Sequence, residues 1–253
     1  MTLIYIRLLS PEKCEDFSQI IVDEAQDFGP SVYYALSRAL PGCRFTIMGD
    51  ISQNIHYETG MNTWESLRHE VFGTKGTKFH VLAKSYRNTI EISEYAGYVL
   101  REASAGAYRI QPVIRHGKPV KIWRTGNNTM SGGSALKAMV SLTLTLLEDI
   151  RHSGFDTTAV ICRDEAEAQT TAELLGIEKS NPDQDNFHTG VMVLPVMYTK
   201  GLEFDAVILW DPSPDKYQKR EGDAKLLYVA ITRALHELHI VCHSILTPLL
   251  MDT

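Results

Sequence analysis

An α/β chain with mostly parallel sheets is what this sequence predicts, and three observations carry that expectation. Seven short runs are rich in β-branched residues and almost continuously apolar: QIIVD (19–23), RFTIMG (44–49), FHVLA (79–83), VKIWR (120–124), TAVICR (158–163), VMVLPV (191–196) and DAVILW (205–210). Strands of that kind are covered on both faces. Helix-like stretches lie between them at 31–40, 89–103, 134–151, 165–175 and 223–235. The fourth opens after Asp164 and closes at Gly176, as a capped helix does. The third observation is the alternation itself, which is the signature of parallel strands joined through helices. In such sheets ligands bind beyond the carboxyl ends of the strands, where Asp23 and Asp50 sit.

Composition sets the outer bounds. With 253 residues, 44% hydrophobic and 22% charged, the chain can bury a core and suits one large domain or two modest ones. It holds no run of about 18 apolar residues. Its opening MTLIYIRLLSPEKCED lacks a basic n-region and a small-residue cleavage site, so a cytoplasmic protein with no membrane partner is expected. Cys14, Cys43, Cys162 and Cys242 lie far apart with no C-x-x-C, which argues against a zinc ribbon or a thioredoxin-type site. A net charge of -6 excludes attachment to nucleic acid by bulk charge, so any such contact has to be local.

The stretch IIVDEAQD (20–27) runs an apolar strand into three carboxylates. Paired carboxylates after a strand suit Mg²⁺ held through water and the orientation of an attacking water. A helix N-terminus with acidic residues complementing its dipole is the plainer alternative. Further segments bear on the choice: GDISQNI (49–55) and SYRNT (85–89) each follow a strand, TKGLEFDAVI (199–208) leads into one, and LLYVAITRA (226–234) reads as a helix carrying an arginine. In this order these segments resemble motifs II to VI of the superfamily 1 helicases of the UvrD, Rep and PcrA type. VLPVMYTKGLEFDAVI looks closest to the HelD branch, helicase-like ATPases that associate with bacterial RNA polymerase.

The resemblance implies a RecA-like P-loop NTPase fold, with ATP and Mg²⁺ as cofactors and single-stranded DNA as partner. It implies an ATP-driven DNA helicase or translocase that hydrolyses ATP in a two-lobe cleft, with a HelD-like polymerase-remodelling ATPase as the alternative. Carried over by position, Asp23 would hold the Mg²⁺ through water, Glu24 would orient the attacking water and Gln53 would sense the γ-phosphate. Arg87 and Arg233 would grip that phosphate, a task suited to planar guanidinium groups. Tyr86 would stack on adenine and Glu203 would accept from a ribose hydroxyl, with Gly201 and Asp50 completing the nucleotide-contacting set. Taken singly, Tyr86 also reads as core, the arginines as surface ion pairs and Glu203 as a solvated loop residue.

Two departures from the family pattern stand out. A P-loop needs G-x-x-x-x-G-K-[ST], whereas GTKGTK (73–78) lacks Gly-Lys-Ser/Thr and GKP (117–119) has proline in place of the hydroxyl. Residues 1–82 are therefore expected to form the C-terminal part of a first lobe whose remainder the full-length chain supplies, and 83–253 a complete second lobe. At the positions that face DNA, QNIHYETG offers His56 and Tyr57 and then Glu58 where a tryptophan is expected, with Trp64 as a substitute. Motif V offers Met197 and Tyr198. Stacking on such aromatics is worth about 1–3 kcal/mol per base, against the plainer reading of Tyr57 and Trp64 as packed aromatics.

Three further expectations complete the reading. The 103 residues between Arg87 and Val191 must supply helices and strands that consume roughly 80. That leaves no room for a separate duplex-engaging domain of about 100 residues. HELH (236–239) lacks H-E-x-x-H spacing and leads into a strand-like run on which positions three apart face opposite sides, so no metal is expected there. The basic segment with Arg109, Arg115, His116, Lys118, Lys121 and Arg124 around Trp123 reads as a solvated loop and edge strand rather than a nucleic-acid patch.

Overall fold

The computed structural model describes residues 17–40, 42–55, 59–61, 63–82, 84–103, 111–112, 115–126, 132–178 and 189–250. The chain divides into two compact units, Met1–Leu82 and Ala83–Thr253.

In the first unit β1 (Gln19–Val22) pairs in parallel with β2 (Arg44–Ile47), Ile20 opposite Phe45 and Val22 opposite Ile47. Between them runs α1 (Pro30–Ala39), which starts on a proline whose missing N–H costs nothing in a first helical turn. A small core of Ala25, Tyr33, Met61 and Leu67 is closed by Val22, Ile47 and Trp64. The expected strand at 79–83 is corrected: residues 79–82 adopt no regular structure, Phe79 lies against Trp64, and Leu82 is 95% exposed. An apolar run becomes a strand only where another strand completes its hydrogen-bond ladder.

The second unit is built on a five-stranded, all-parallel sheet. Its strands are β5 (Lys121–Arg124), β6 (Thr157–Cys162), β7 (Gly190–Pro195), β8 (Phe204–Trp210) and β9 (Ala234–Cys242), in the order β5-β9-β8-β6-β7. Val160 pairs with Val193 on one side and Ile208 on the other, and Lys121 pairs with His239. Ahead of this sheet, β3 (Lys84–Ser85) and β4 (Gln111–Pro112) form a short parallel pair around α2 (Ile90–Ala103).

Helices cover the large sheet. From α3 (Gly132–His152) and α4 (Glu165–Leu175), Met139, Leu146, Ile150, Ala168 and Ala172 pack on Val160, Cys162, Ile208 and Trp210. Side chains alternate along a strand, so Ile161, Val207, Leu209 and Ile240 project oppositely and are also fully buried. Contacts to β8 and β9 come from α5 (Glu221–Thr232), which itself packs on α2. Asp164 caps α4 by accepting from the Glu167 N–H, and Gly176 ends it at φ 66, where a side chain would be strained.

Buried charge seats the start of α5. The Asp223 carboxylate is 2% exposed and accepts from Arg163 at 2.9 Å, Arg220 at 2.6 Å and the Gln218 N–H. Removing one partner of such a cluster strands the other in a dry site.

Within the interval 104–190, all in the second unit, β5 and β6 are strands of its five-stranded sheet, α3 and α4 pack on that sheet, and β4 pairs with β3. Among the described residues no helix is long and apolar enough to cross a membrane.

Candidate functional site

In the first unit, the segments 23–26 and 50–53 are joined by one chain of hydrogen bonds. Glu24 follows β1 in the left-handed conformation, φ 49 and ψ 40, which costs a non-glycine residue about 1–2 kcal/mol. Local bonds offset that strain. The Glu24 N–H donates to Asp23 Oδ1 at 2.8 Å, and Gln26 Nε2 donates to Glu24 Oε2 at 2.5 Å. The fully buried Gln26 also accepts from the Asp50 N–H at 2.9 Å. Asp50 in turn accepts from the Ser52 N–H through Oδ1 and from Gln53 Nε2 through Oδ2, both at 2.9 Å. The order Glu24, Gln26, Asp50, Gln53 thus ties the two carboxylates after β1 to the amide after β2.

Close packing makes this relay specific. A Cβ on Gly49 would fall 2.3 Å from Gln26 Oε1 and 2.9 Å from the Ala25 N, so only glycine lets β2 approach. From α1, Tyr33 donates to the Ala25 carbonyl at 2.6 Å. Burial, and then the Asp27 charge, push the Tyr33 hydroxyl up to about 12, so it stays a donor. Asp23 and Glu24 are exposed, and hard carboxylate oxygens of this kind suit Mg²⁺.

In the second unit, the segments around Arg87, Leu202–Glu203 and Arg233 converge. Arg87, just after β3, pairs with Glu203 at 2.6 Å, both about two-fifths exposed. Glu203 closes the turn after the 3-10 segment Val196–Thr199, in which Gly201 takes φ +78 and the Leu202 N–H bonds the Thr199 carbonyl. Arg233, at the end of α5, is 1% exposed. Its Nε donates to the Val229 carbonyl and its Nη1 to the Leu202 carbonyl, both at 3.1 Å. Arg233 therefore clamps the 199–202 turn, and the neighbouring Glu203 holds Arg87. Tyr86, beside them, is 71% exposed and offers an open ring face.

This second-unit geometry matches known proteins. The model of the UvrD-like helicase C-terminal domain matches residues 190–241, the span from β7 almost to the end of β9. The C-terminal domain of a possible DNA helicase from Lactobacillus plantarum WCFS1 is 30% identical, with 65% of this chain and 91% of that one covered and a TM-score of 0.50. The chain belongs to the UvrD-like helicase C-terminal domain family. Two viral structures also match, Arterivirus nonstructural protein 10, a helicase, at 16% identity and the PRRSV helicase at 12%. Their TM-scores are 0.40 and 0.43, over 89% and 88% of this chain and 39% and 34% of theirs. No curated protein matches the sequence.

Other candidate residues of this UvrD-like chain separate clearly. Tyr198 and Met197 are exposed on the 3-10 segment Val196–Thr199. Trp64 is half-buried, tilted on Phe79 at 6.3 Å and packed on the small core, so it is a packed aromatic rather than an open platform. His56, Tyr57 and Glu58 lie outside the described residues, as do Cys14 and Arg109.

The described part of the basic segment is an exposed loop leading into the edge strand β5, and HELH lies within β9. Lys118 pairs with Glu237 at 2.5 Å, and Trp123 Nε1 donates to His239 Nδ1 at 3.2 Å. His236 stacks on Phe155 while His239 lies on Trp123, and no metal-holding group of side chains occurs among the described residues.

Sequence reasoning passed over Gln26 and Asn88, and placed Arg115 only in a solvated basic segment. Gln26 stands inside DEAQD and Asn88 beside Arg87. A polar residue in the middle of a motif was the available signal.

Proposed function

We propose that this UvrD-like chain is the C-terminal portion of an ATP-dependent superfamily 1 motor that couples hydrolysis to movement on single-stranded DNA. One observation above all supports the reading: Arg87 pairs with Glu203 and Arg233 bonds the adjacent Leu202 carbonyl, so residues far apart in sequence gather near an exposed tyrosine. Two guanidinium groups suit a triphosphate, and an open phenol ring suits a purine face. In the first unit Asp23 would hold Mg²⁺ through water, Glu24 would orient the attacking water and accept its proton, and Gln53 would respond to the terminal phosphate. When bound, the metal supplies charge neutralisation at the transferring phosphoryl group.

A phosphate cradle is a different matter. No G-x-x-x-x-G-K-[ST] occurs in these 253 residues, so the remainder of the first lobe in the full-length protein would provide it. This chain alone is then expected to hydrolyse no ATP.

A second reading, a HelD-like ATPase that binds RNA polymerase and unwinds little duplex, is favoured by the interval 104–190, whose described elements serve the second unit's own sheets. Stimulation of the full-length ATPase decides between the two. Single-stranded DNA as the stronger stimulant supports the motor, and RNA polymerase as the stronger one supports the second reading. An ATPase that neither stimulates, in a protein that does not translocate, overturns both.

A further inference from the structure

A helix leaves its last four carbonyls without intrahelical partners, and at the end of α5 those carbonyls surround Arg233. Two side chains from outside the helix collect the last of them, that of Thr232, together with the first two carbonyls of β9. Asn88 Nδ2 donates to the Thr232 carbonyl at 2.9 Å and to the Ala234 carbonyl at 2.6 Å. Arg115 Nη2 donates to the Leu235 carbonyl and to the Arg87 carbonyl, both at 2.6 Å. Between them the Arg233 carbonyl accepts from the Phe204 N–H at 2.9 Å.

Asn88 is 4% exposed. Both its acceptors are carbonyls, so only the NH₂ end of the amide can face them. Its two hydrogen bonds bracket Arg233 on either side while its own backbone follows Arg87 directly. Arg115 repeats the link, from the residue before Asn88 on one segment to the residue after Ala234 on the other. The guanidinium of Arg87 meets Glu203, that of Arg233 meets Leu202, and the backbones that carry them are stitched together by Asn88 and Arg115.

We propose that Asn88 is a positioning residue, assisted by Arg115, that holds Arg87 and Arg233 in one fixed arrangement so that both address the same anionic group. The inference rests on the nucleotide reading given above. An ordinary helix cap would stabilise α5 and no more. A positioning residue changes turnover at constant nucleotide affinity, because misplacing a catalytic group by about 1 Å costs on the order of 10²-fold in rate.

The test has two arms. In the 253-residue chain, Arg side-chain Nε–H signals are followed by NMR with Asn88→Ala and Asn88→Ser, the serine keeping a single donor should alanine fail to fold. The Arg233 signal is expected to shift and its exchange to quicken about tenfold, less in the serine variant, with β6 and β8 amide protection unchanged. An unchanged Arg233 signal overturns the proposal. In the full-length protein, Asn88→Ala is expected to lower kcat by about 10²-fold with KM within about twofold. Loss of kcat only in proportion to lost folded protein overturns it as well. If Arg87→Ala and Arg233→Ala leave kcat untouched, the nucleotide reading falls instead, and the NMR arm still decides whether Asn88 orders the two arginines.

Discussion

The two units hold their candidate functional side chains by different physical means. In the second, β8 and α5 are buried almost throughout, and the residues they deliver inherit the rigidity of a close-packed sheet. In the first, two strands show alternate residues to solvent and Ile21 and Met48 are exposed. There the carboxylates are set by side-chain bonds through Gln26 and Asp50. Rigid packing fixes position whatever the solvent does, whereas a relay of amides and carboxylates holds only while each member stays satisfied.

Hydrogen exchange should show the largest difference. Amides of β1 and β2 are expected to exchange at least about 10²-fold faster than those of β6, β8 and β9, because local opening in a small unit exposes little apolar surface. Equal protection in both units would break the contrast.

A narrower probe is Gly49→Ala. Its Cβ would enter the space of Gln26 Oε1, and such overpacking costs about 1–3 kcal/mol. The melting of the first unit, followed by exchange of the β1 and β2 amides, should fall while the second unit is unaffected. Wild-type exchange in the variant would show that the relay is not tightly packed.

The smallest effect concerns pH. Burial holds His239 below the ordinary histidine range, outweighing the Glu237 carboxylate beside it. A histidine lowered on folding contributes stability that is complete above about pH 6.5, its unfolded value. That stability is lost as pH falls toward the folded value, since the unfolded chain then takes up the proton first. Burial works against Glu237, but the Lys118 and His239 hydrogen bonds more than offset it and leave that carboxyl lowered. Its contribution is therefore lost only at more acid pH. Urea midpoints should decline below about pH 6.5, and His239→Gln should flatten part of that decline. An identical slope in the variant would remove His239 from the account.

What the sequence disclosed follows the range of the forces involved. The helix at 165–175 was legible to the residue because Asp164 and Gly176 act within one turn. The buried strands were legible because their apolar runs are continuous. The run at 79–83 misled because a strand needs a partner that its own residues do not encode. Gln26 to Asp50 spans 24 positions and Asn88 to Thr232 spans 144, so both bonds exist only once the strand register brings distant segments together. The burial of Arg233 was hidden for the same reason: a guanidinium reads as a surface charge until the carbonyls of Val229 and Leu202 are placed around it.

The proposed function requires that Glu24 and Arg233 each act in ATP hydrolysis by the full-length protein. Steady-state ATPase of the full-length protein tests it most directly, with Glu24→Gln from the first unit, Arg233→Ala from the second, and the two combined. Each single variant is predicted to lower kcat by about 10³-fold or more with little change in nucleotide affinity. The double variant should be no worse than the poorer single one, because residues that act as a unit are strongly non-additive. Losses that multiply in the double variant, or wild-type turnover in either single one, would contradict the account.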